Sequence, residues 1–545
     1  MTDTNGSIQV STADPATEVD AIVVGAGLSG VYLLRRLRDE LGLNTRVLEA
    51  GSDVGGTWYW NRYPGARCDT ESMFYAYSWP TELRQKWTWS SRYPEQHEIQ
   101  GYIRHVVDEF DLERDIQFGT RVASATFDDA SSRWTVTTEG GETFSARFCI
   151  MATGCITKPN LPDVDGVESF EGDTFHTARW PKEKVDFSGR RVGVIGTGST
   201  GIQAIPMIAE EAKQLTVFQR TAQYAIPAWN APLDPDYEND IKANYDELWE
   251  KARHGSTGLI YEVRDVSVFD ESSEEREKRF EEAWAQGGFA FLFVYNDILT
   301  DQKANEIVGE WVRDKIRARI DDPDVADRLM PTSYPFATKR LCVDTNYYET
   351  YNRDNVRLVS LRETPLEAIT PQGVRTSDEQ FDLDALVFAT GFDGMTGALF
   401  AIDIRGRDGV SLTEKWADGP RTYLGLGTAG FPNLFTITGP GSPSVISNMM
   451  TSLEQHVDWV TDCIGHLVKE GHKTIEPTLA AENEWVEHVN EVANTTLFPL
   501  TDSWYTGMNV PGKLRLFTPY VGGVGTYRKK CDEVAAKGYD GFVLA

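Results

Sequence analysis

Positive charge, paired cysteines and long apolar runs are all in short supply in this sequence. Lys and Arg number 53 against 83 Asp and Glu, a formal net charge of −30. A surface of that sign repels nucleic acid and anionic lipid, so neither nucleic acid nor membrane is expected as a partner. The six cysteines, Cys68, Cys149, Cys155, Cys342, Cys463 and Cys531, are scattered without a CxxC pair. This argues against a structural zinc site and a dithiol redox centre; isolated thiols are expected, and no metal. No run of about 18 apolar residues is present that could cross a bilayer. The opening MTDTNGSIQVSTADPATE lacks the apolar stretch of a secretory leader and reads as a loose tail over residues 1–18. The chain is therefore expected to stay in the cytoplasm where it is made.

What is present is more specific. A chain of 545 residues exceeds one ordinary core and is expected to divide into two or three domains. Over residues 19–30, VDAIVVGAGLSG, an apolar run of strand type meets Gly25, Gly27 and Gly30 at GxGxxG spacing. A helix-type stretch, VYLLRRLRDELG, follows. Such glycines permit a tight turn and let a pyrophosphate approach the open amides of a helix N-terminus. A second strand, TRVLEAG, ends in Glu49, about 20 residues further on, where a carboxylate can accept hydrogen bonds from ribose hydroxyls.

The pattern then recurs. RRVGVIGTGSTG places Gly196, Gly198 and Gly201 at the same spacing, again between an apolar strand and a helical stretch. Its next strand, LTVFQRT, ends in Gln219, Arg220 and Thr221 where the first unit has Glu49. A cation and a hydroxyl in place of the acid suit a ribose bearing a 2′-phosphate, so NADPH is expected there rather than NADH. One GxGxxG arises by chance in roughly one of three chains of this glycine content. Two framed copies, each with a fitting residue downstream, do not.

Two more apolar strands end in ATG, at 148–154 and 386–393, and suggest crossings of the chain between two nucleotide domains. Between them, from about 231 to 333, the sequence turns charged and helical, as in ESSEEREKRFEEAWAQ, with solvated helix faces expected. The expected class is α/β, with two Rossmann-like dinucleotide-binding domains. Residues 19–155 and 390–545 would form the first domain with a C-terminal region. Residues 156–230 and 334–389 would form the second, carrying a helical insertion over 231–333.

Between the two units, Phe170, Gly172, His176, Trp180 and Pro181 fit the pattern FxGxxxHxxxW(P/D). From this chain's residue frequencies a chance match has odds of about 4 in 100,000. A second pattern runs from Gly55-Gly56-Thr57-Trp58 through Tyr63-Pro64-Gly65 to Asp69. On these residues the chain resembles the type I Baeyer–Villiger monooxygenases, over essentially its whole length after residue 18. The stretches YETYNRDNV, GPGSPS and SWYTGMNVPGK are similar to the branch that acts on aryl and steroid ketones.

The resemblance implies that NADPH reduces FAD and that reduced flavin captures O2 as a C4a-peroxide. Attack on a ketone then gives a tetrahedral adduct that rearranges to an ester or lactone, with sulfide oxidation as a side activity. A fixed cation is needed beside that anionic adduct. The resemblance assigns this role to Arg340, with Asp69 as its paired acid. For FAD it adds Thr57, Trp58, Asp69, Tyr75, Val122 and Met449 to the first glycines and Glu49. For NADP it implies Arg67, Thr197, Ser199, Thr200, Gln203, Lys339 and Trp504 besides the second glycines, Arg220 and Thr221. Ser444 and Val445 fall at the substrate pocket, and His176 at a structural, domain-coupling position. The expected partners are a small-molecule ketone and O2, and the expected working unit is a monomer. Two other readings stay open. One is a flavin monooxygenase acting on amine nitrogen or sulfide sulfur, and the other is a nucleotide-binding sensor or scaffold without catalysis.

Overall fold

A computed structural model describes residues 16–545. Most of the stretch read as a loose tail lies outside the described residues. Its end does not: the first strand, Thr17–Val24, begins before residue 19, and Thr17 and Glu18 pair with Phe144 and Ser145. A strand of unequal neighbours extends as far as its longer partner offers backbone groups, so hydrogen bonding rather than polarity sets this boundary.

The fold is α/β and is organised around two sheets. In the first, strand Thr17–Val24 lies between Thr45–Leu48 and Thr143–Met151, parallel to both. An antiparallel meander, Val122–Asp128 and Arg133–Thr138, extends the sheet from Thr143–Met151. Strand Ile116–Gln117 beside Thr45–Leu48, and Asp403–Arg405 and Leu434–Thr436 from far along the chain, complete it. The second sheet is parallel throughout, in the order Val356–Ser360, Gln214–Gln219, Arg191–Ile195, Ala385–Phe388, Asp173–His176. Its three central strands are apolar on both faces because helices and a small antiparallel sheet cover them.

The two glycine turns are built alike. Gly25 and Gly196 have φ of 105° and 109°, which side chains rarely adopt. A Cβ on Gly25 would sit 2.7 Å from the Ala152 carbonyl oxygen, and one on Gly196 2.4 Å from that of Ala389. Each turn thus presses on one of the two ATG strand ends. The last glycines, Gly30 and Gly201, let a helix start against its own turn, where a Cβ would meet Gly25 O at 1.9 Å and Gly196 O at 2.4 Å. Helices Leu28–Arg35 and Ser199–Glu211 follow, each entered from a glycine with no side-chain cap.

The chain passes between the sheets twice, and the two passages pair. Asn160 N–H donates to Gly391 O at 2.9 Å, Asp393 N–H to Lys158 O at 2.9 Å, and Met395 N–H to Cys155 O at 2.8 Å.

The charged stretch after residue 231 is helical, as its sequence suggests, but it does not pack as one insertion on the second unit. Ile241, Tyr245, Trp249 and Ala252, on helices Pro235–Ala243 and Tyr245–His254, belong to the core of the first. Phe280, Trp284, Val308 and Val312, on helices Ser273–Gln286 and Gln302–Arg317, belong to that of the second. Helix Tyr245–His254 lies against the C-terminal helix Val524–Ala536, which gives its apolar stripe a nearer surface to bury. All six cysteines are buried and unpaired. Among the described residues no helix is long and apolar enough to cross a membrane, and no cluster of His, Cys, Asp and Glu suits a metal ion.

Candidate active site

The C-terminal ends of both sheets open onto one cavity of about 1640 Å³. Ligands of open α/β sheets bind at such ends. On the first side it is lined by Gly25, Gly27, Glu49, Thr57, Trp58, Asp69, Tyr75, Val122 and Met449; on the second by Gly196 to Thr200, Gln203, Arg220, Thr221, Lys339 and Arg340. Arg67, Val445 and Trp504 also reach it. Gly30 and Gly201 stand behind the turns and do not.

Glu49 is buried, and its carboxylate accepts from Ala26 N–H at 2.7 Å and Gly51 N–H at 2.6 Å. Burial raises its pKa and those two bonds oppose the rise. The second unit answers differently. Gly25 N–H donates to Leu48 O and Gly196 N–H to Phe218 O, so Gln219 holds the register position of Glu49. Yet Gln219 Nε2 turns away to Arg328 O at 2.7 Å, leaving the cavity edge to Arg220 and Thr221. Thr221's carbonyl accepts from Thr197 Oγ1 at 3.0 Å.

Asp69 sits where the halves meet. One carboxylate oxygen accepts from Gln203 Nε2 at 3.2 Å, and the other from Arg340 Nε at 3.2 Å. Gln203 also accepts from Tyr63 OH at 2.8 Å. Burial raises the Asp69 pKa, with Arg340 opposing the rise. Burial likewise disfavours the Arg340 charge, but Asp69 beside it holds the guanidinium above its ordinary value, so it stays charged at any working pH. The Arg340 side chain is 34% exposed and Asp69 8%, which leaves donors free toward the cavity. Trp58 Nε1 donates to Tyr75 OH at 3.1 Å nearby.

A Baeyer–Villiger monooxygenase from Pseudooceanicola batsensis is 42% identical over 536 residues, covering 98% of this chain and 97% of its own. The chain belongs to the Baeyer–Villiger monooxygenase family. A family model described as flavin-binding monooxygenase-like matches residues 19–235. A phenazine N-monooxygenase from Lysobacter antibioticus is 44% identical over 531 residues, 97% of each chain. The solved structure of an oxidized steroid monooxygenase bound to NADP is 50% identical, with a TM-score of 0.93 over 97% of this chain and 99% of that one.

Of the two sequence patterns, the second lines the cavity, whereas Phe170, Gly172, His176, Trp180 and Pro181 of the first lie outside it. His176 ends a strand of the second sheet, accepts from Ala178 N–H on Nδ1 at 3.0 Å, and points Nε2 at Asn160 O, 3.4 Å away. Thr390 Oγ1 donates to the same carbonyl. His176 therefore clamps the two paired passages together, and burial lowers its pKa. Trp180 packs on Phe175 with ring centres 5.2 Å apart. Gly172 is glycine because a Cβ would meet Asp384 O at 2.7 Å and the Phe170 ring at 2.5 Å. Pro181 follows Trp180 at the start of the next loop.

One expected pocket residue is misplaced. Ser444 and Val445 share the 3₁₀ turn Ser444–Ile446. Ser444 is fully buried and does not line the cavity, while Val445 does. A single turn sends neighbouring side chains in different directions, so adjacency in sequence is not adjacency to substrate. Three contacts of Arg340 have no signal in either fingerprint. Val445 O accepts from Nη1 at 3.3 Å, the Phe289 ring centre lies 5.5 Å from the guanidinium carbon, and Tyr505 interacts with Arg340 from a buried position. Val445 is already expected at the pocket from the resemblance, and Tyr505 is the neighbour of Trp504; Phe289 has no such pointer.

The residues fit two dinucleotides. The uncapped helix starts offer open amides to pyrophosphates. Glu49 would offer acceptors to one ribose, and Arg220 with Lys339 would offer positive charge at the other.

Proposed function

We propose that this chain is an FAD- and NADPH-dependent monooxygenase that inserts one oxygen atom of O2 beside a ketone carbonyl to give an ester or lactone. The carrying observation is Arg340, a charged guanidinium held by Asp69 between the two cofactor halves. When bound, FAD and NADPH supply the activated oxygen and the hydride. The chain's own residues do the rest. Asp69 orients Arg340 and partly offsets its charge; Arg340 holds the negative charge that develops on the attacked carbonyl oxygen. Val445, Met449 and Trp504 help exclude water. His176 acts as a structural clamp and touches no reacting atom. The working unit proposed is a monomer.

Arg340→Ala tests this reading. NADPH-driven flavin reduction is expected to persist within about twofold, while ester formation falls by about 100-fold, the usual effect of losing an oxyanion donor. Ester made at the wild-type rate would remove the role. The ketone itself is found with a panel of aryl, steroid-like, linear and cyclic ketones scored by identified ester, since NADPH use alone also counts wasted peroxide. A second reading, oxygenation of nitrogen or sulfur, is favoured by the phenazine N-monooxygenase at 44% identity. Its substrates need no stabilised carbonyl anion, so sulfoxide or N-oxide formation is expected to survive Arg340→Ala.

A further inference from the structure

The 2′-phosphate end of the cavity holds more unpaired positive charge than Arg220 and Lys339 alone provide. Strand Val356–Ser360 lies beside Gln214–Gln219 with Ser360 opposite Gln219. The register continues one step further, because Leu361 N–H donates to Gln219 O at 2.8 Å. The chain therefore leaves both strands at the same sheet edge, and Arg362 follows Ser360 as Thr221 follows Gln219. Arg362 Nη2 donates to Ser333 Oγ at 3.1 Å, and both residues line the cavity with Arg220, Thr221 and Lys339.

This cluster lacks counter-ions. In a chain of net charge −30, no carboxylate among the described residues lies within 4.0 Å of Arg220, Lys339 or Arg362. The neighbouring Glu363 is turned to Arg328 at 3.1 Å, and Asp502 is paired with Arg515 at 3.0 Å. Lys339 lies over the Tyr334 ring at 5.0 Å. Burial first, then repulsion from Arg220 and Arg362, brings its ammonium down to about 8, with Asp502 only partly opposing. Like charges gathered this way are stable partners only for an anion.

We propose that Arg362 is a third selectivity determinant for NADPH, its guanidinium contacting the 2′-phosphate together with Arg220 and Lys339. The inference rests on the assignment of Arg220 to that phosphate. A phosphate presents several acceptor oxygens, so three cationic donors can share it, two as forks and one as a point charge. Binding also relieves the repulsion at Lys339, which then takes up a proton.

The test uses the FAD-loaded enzyme and two probes, adenosine 2′,5′-bisphosphate and adenosine 5′-monophosphate, titrated by calorimetry. Arg362→Ala is expected to weaken the bisphosphate by about tenfold, a typical loss for one charge-assisted contact, and the monophosphate by less than about twofold. Arg362→Lys should fall between wild type and Arg362→Ala. In buffers of different ionisation heat near pH 8, wild-type enzyme should take up about half a proton per bisphosphate bound. Arg362→Ala should take up less, because Lys339 is already more protonated without that neighbour. Equal weakening of both probes would mark Arg362 as merely structural and overturn the inference. So would wild-type bisphosphate binding by Arg362→Ala alongside a loss in Arg220→Ala, with the Arg220 assignment left standing. If Arg220→Ala also binds as wild type, the assignment fails and the inference with it.

Discussion

The two glycine turns share a backbone and differ in the residue that stands at the end of the second strand. At Glu49 a buried carboxylate faces the turn and is held by two amides. At Gln219, in the same register, the side chain points the other way and ties the strand to Arg328. On the proposed assignment, the turn would specify only a pyrophosphate, and the edge of the sheet would specify which nucleotide carries it. On that assignment, one scaffold would serve two cofactors because a single side chain is reversed and a cation takes the exposed place.

That contrast can be broken most sharply at the last glycines. Gly30→Ala would drive a Cβ into Gly25 O at 1.9 Å, and Gly201→Ala into Gly196 O at 2.4 Å. The first variant is expected to purify without flavin absorbance. The second should stay yellow yet lose NADPH binding by about 100-fold or more, as overpacking a turn costs about 1–3 kcal/mol in addition to the displaced phosphate. A colourless Gly201→Ala would show that the units do not bind independently.

A smaller effect is expected one strand on. Glu49→Ala should weaken FAD by about 10- to 100-fold through lost charge-assisted bonds, whereas Gln219→Ala should change NADPH affinity by less than about twofold. Dissociation constants for apoprotein with FAD and for holoenzyme with NADPH would show it, and comparable losses would erase the distinction between the sites.

The least effect comes from pH. Lys339 has its ammonium lowered to about 8, so it is charged and fully effective below that pH and loses its proton as pH rises through it. NADPH affinity should therefore drop by about threefold to tenfold between pH 7 and 9. NADH, lacking the phosphate, should stay nearly flat. A parallel fall for both would place the titrating group elsewhere.

Much of the fold was legible in the sequence because its decisive positions admit one residue type. Gly25, Gly196 and Gly172 stand where a side chain would strike backbone, and that constraint leaves a spacing that can be read. Glu49 and Arg220 were legible for a related reason, since charge type and distance from the turn follow from ribose chemistry. Other features had no such mark. The direction of Ser444 depends on a turn only three residues long, and the division of residues 231–333 depends on which core each apolar stripe meets first. Phe289 reaches Arg340 from a segment far away in the chain, so its contribution exists only after folding.

The paired passages at 155–160 and 389–395 carry a mechanical consequence. Two strands cross-linked by hydrogen bonds make a flat ribbon, which bends readily across its thin direction and resists shear along its width. The ribbon therefore holds Asn160 and Thr390, at the cavity wall beside His176, in register with each other. A protease cut in either strand alone should leave the halves joined, and native mass measurement of the nicked enzyme would find it intact.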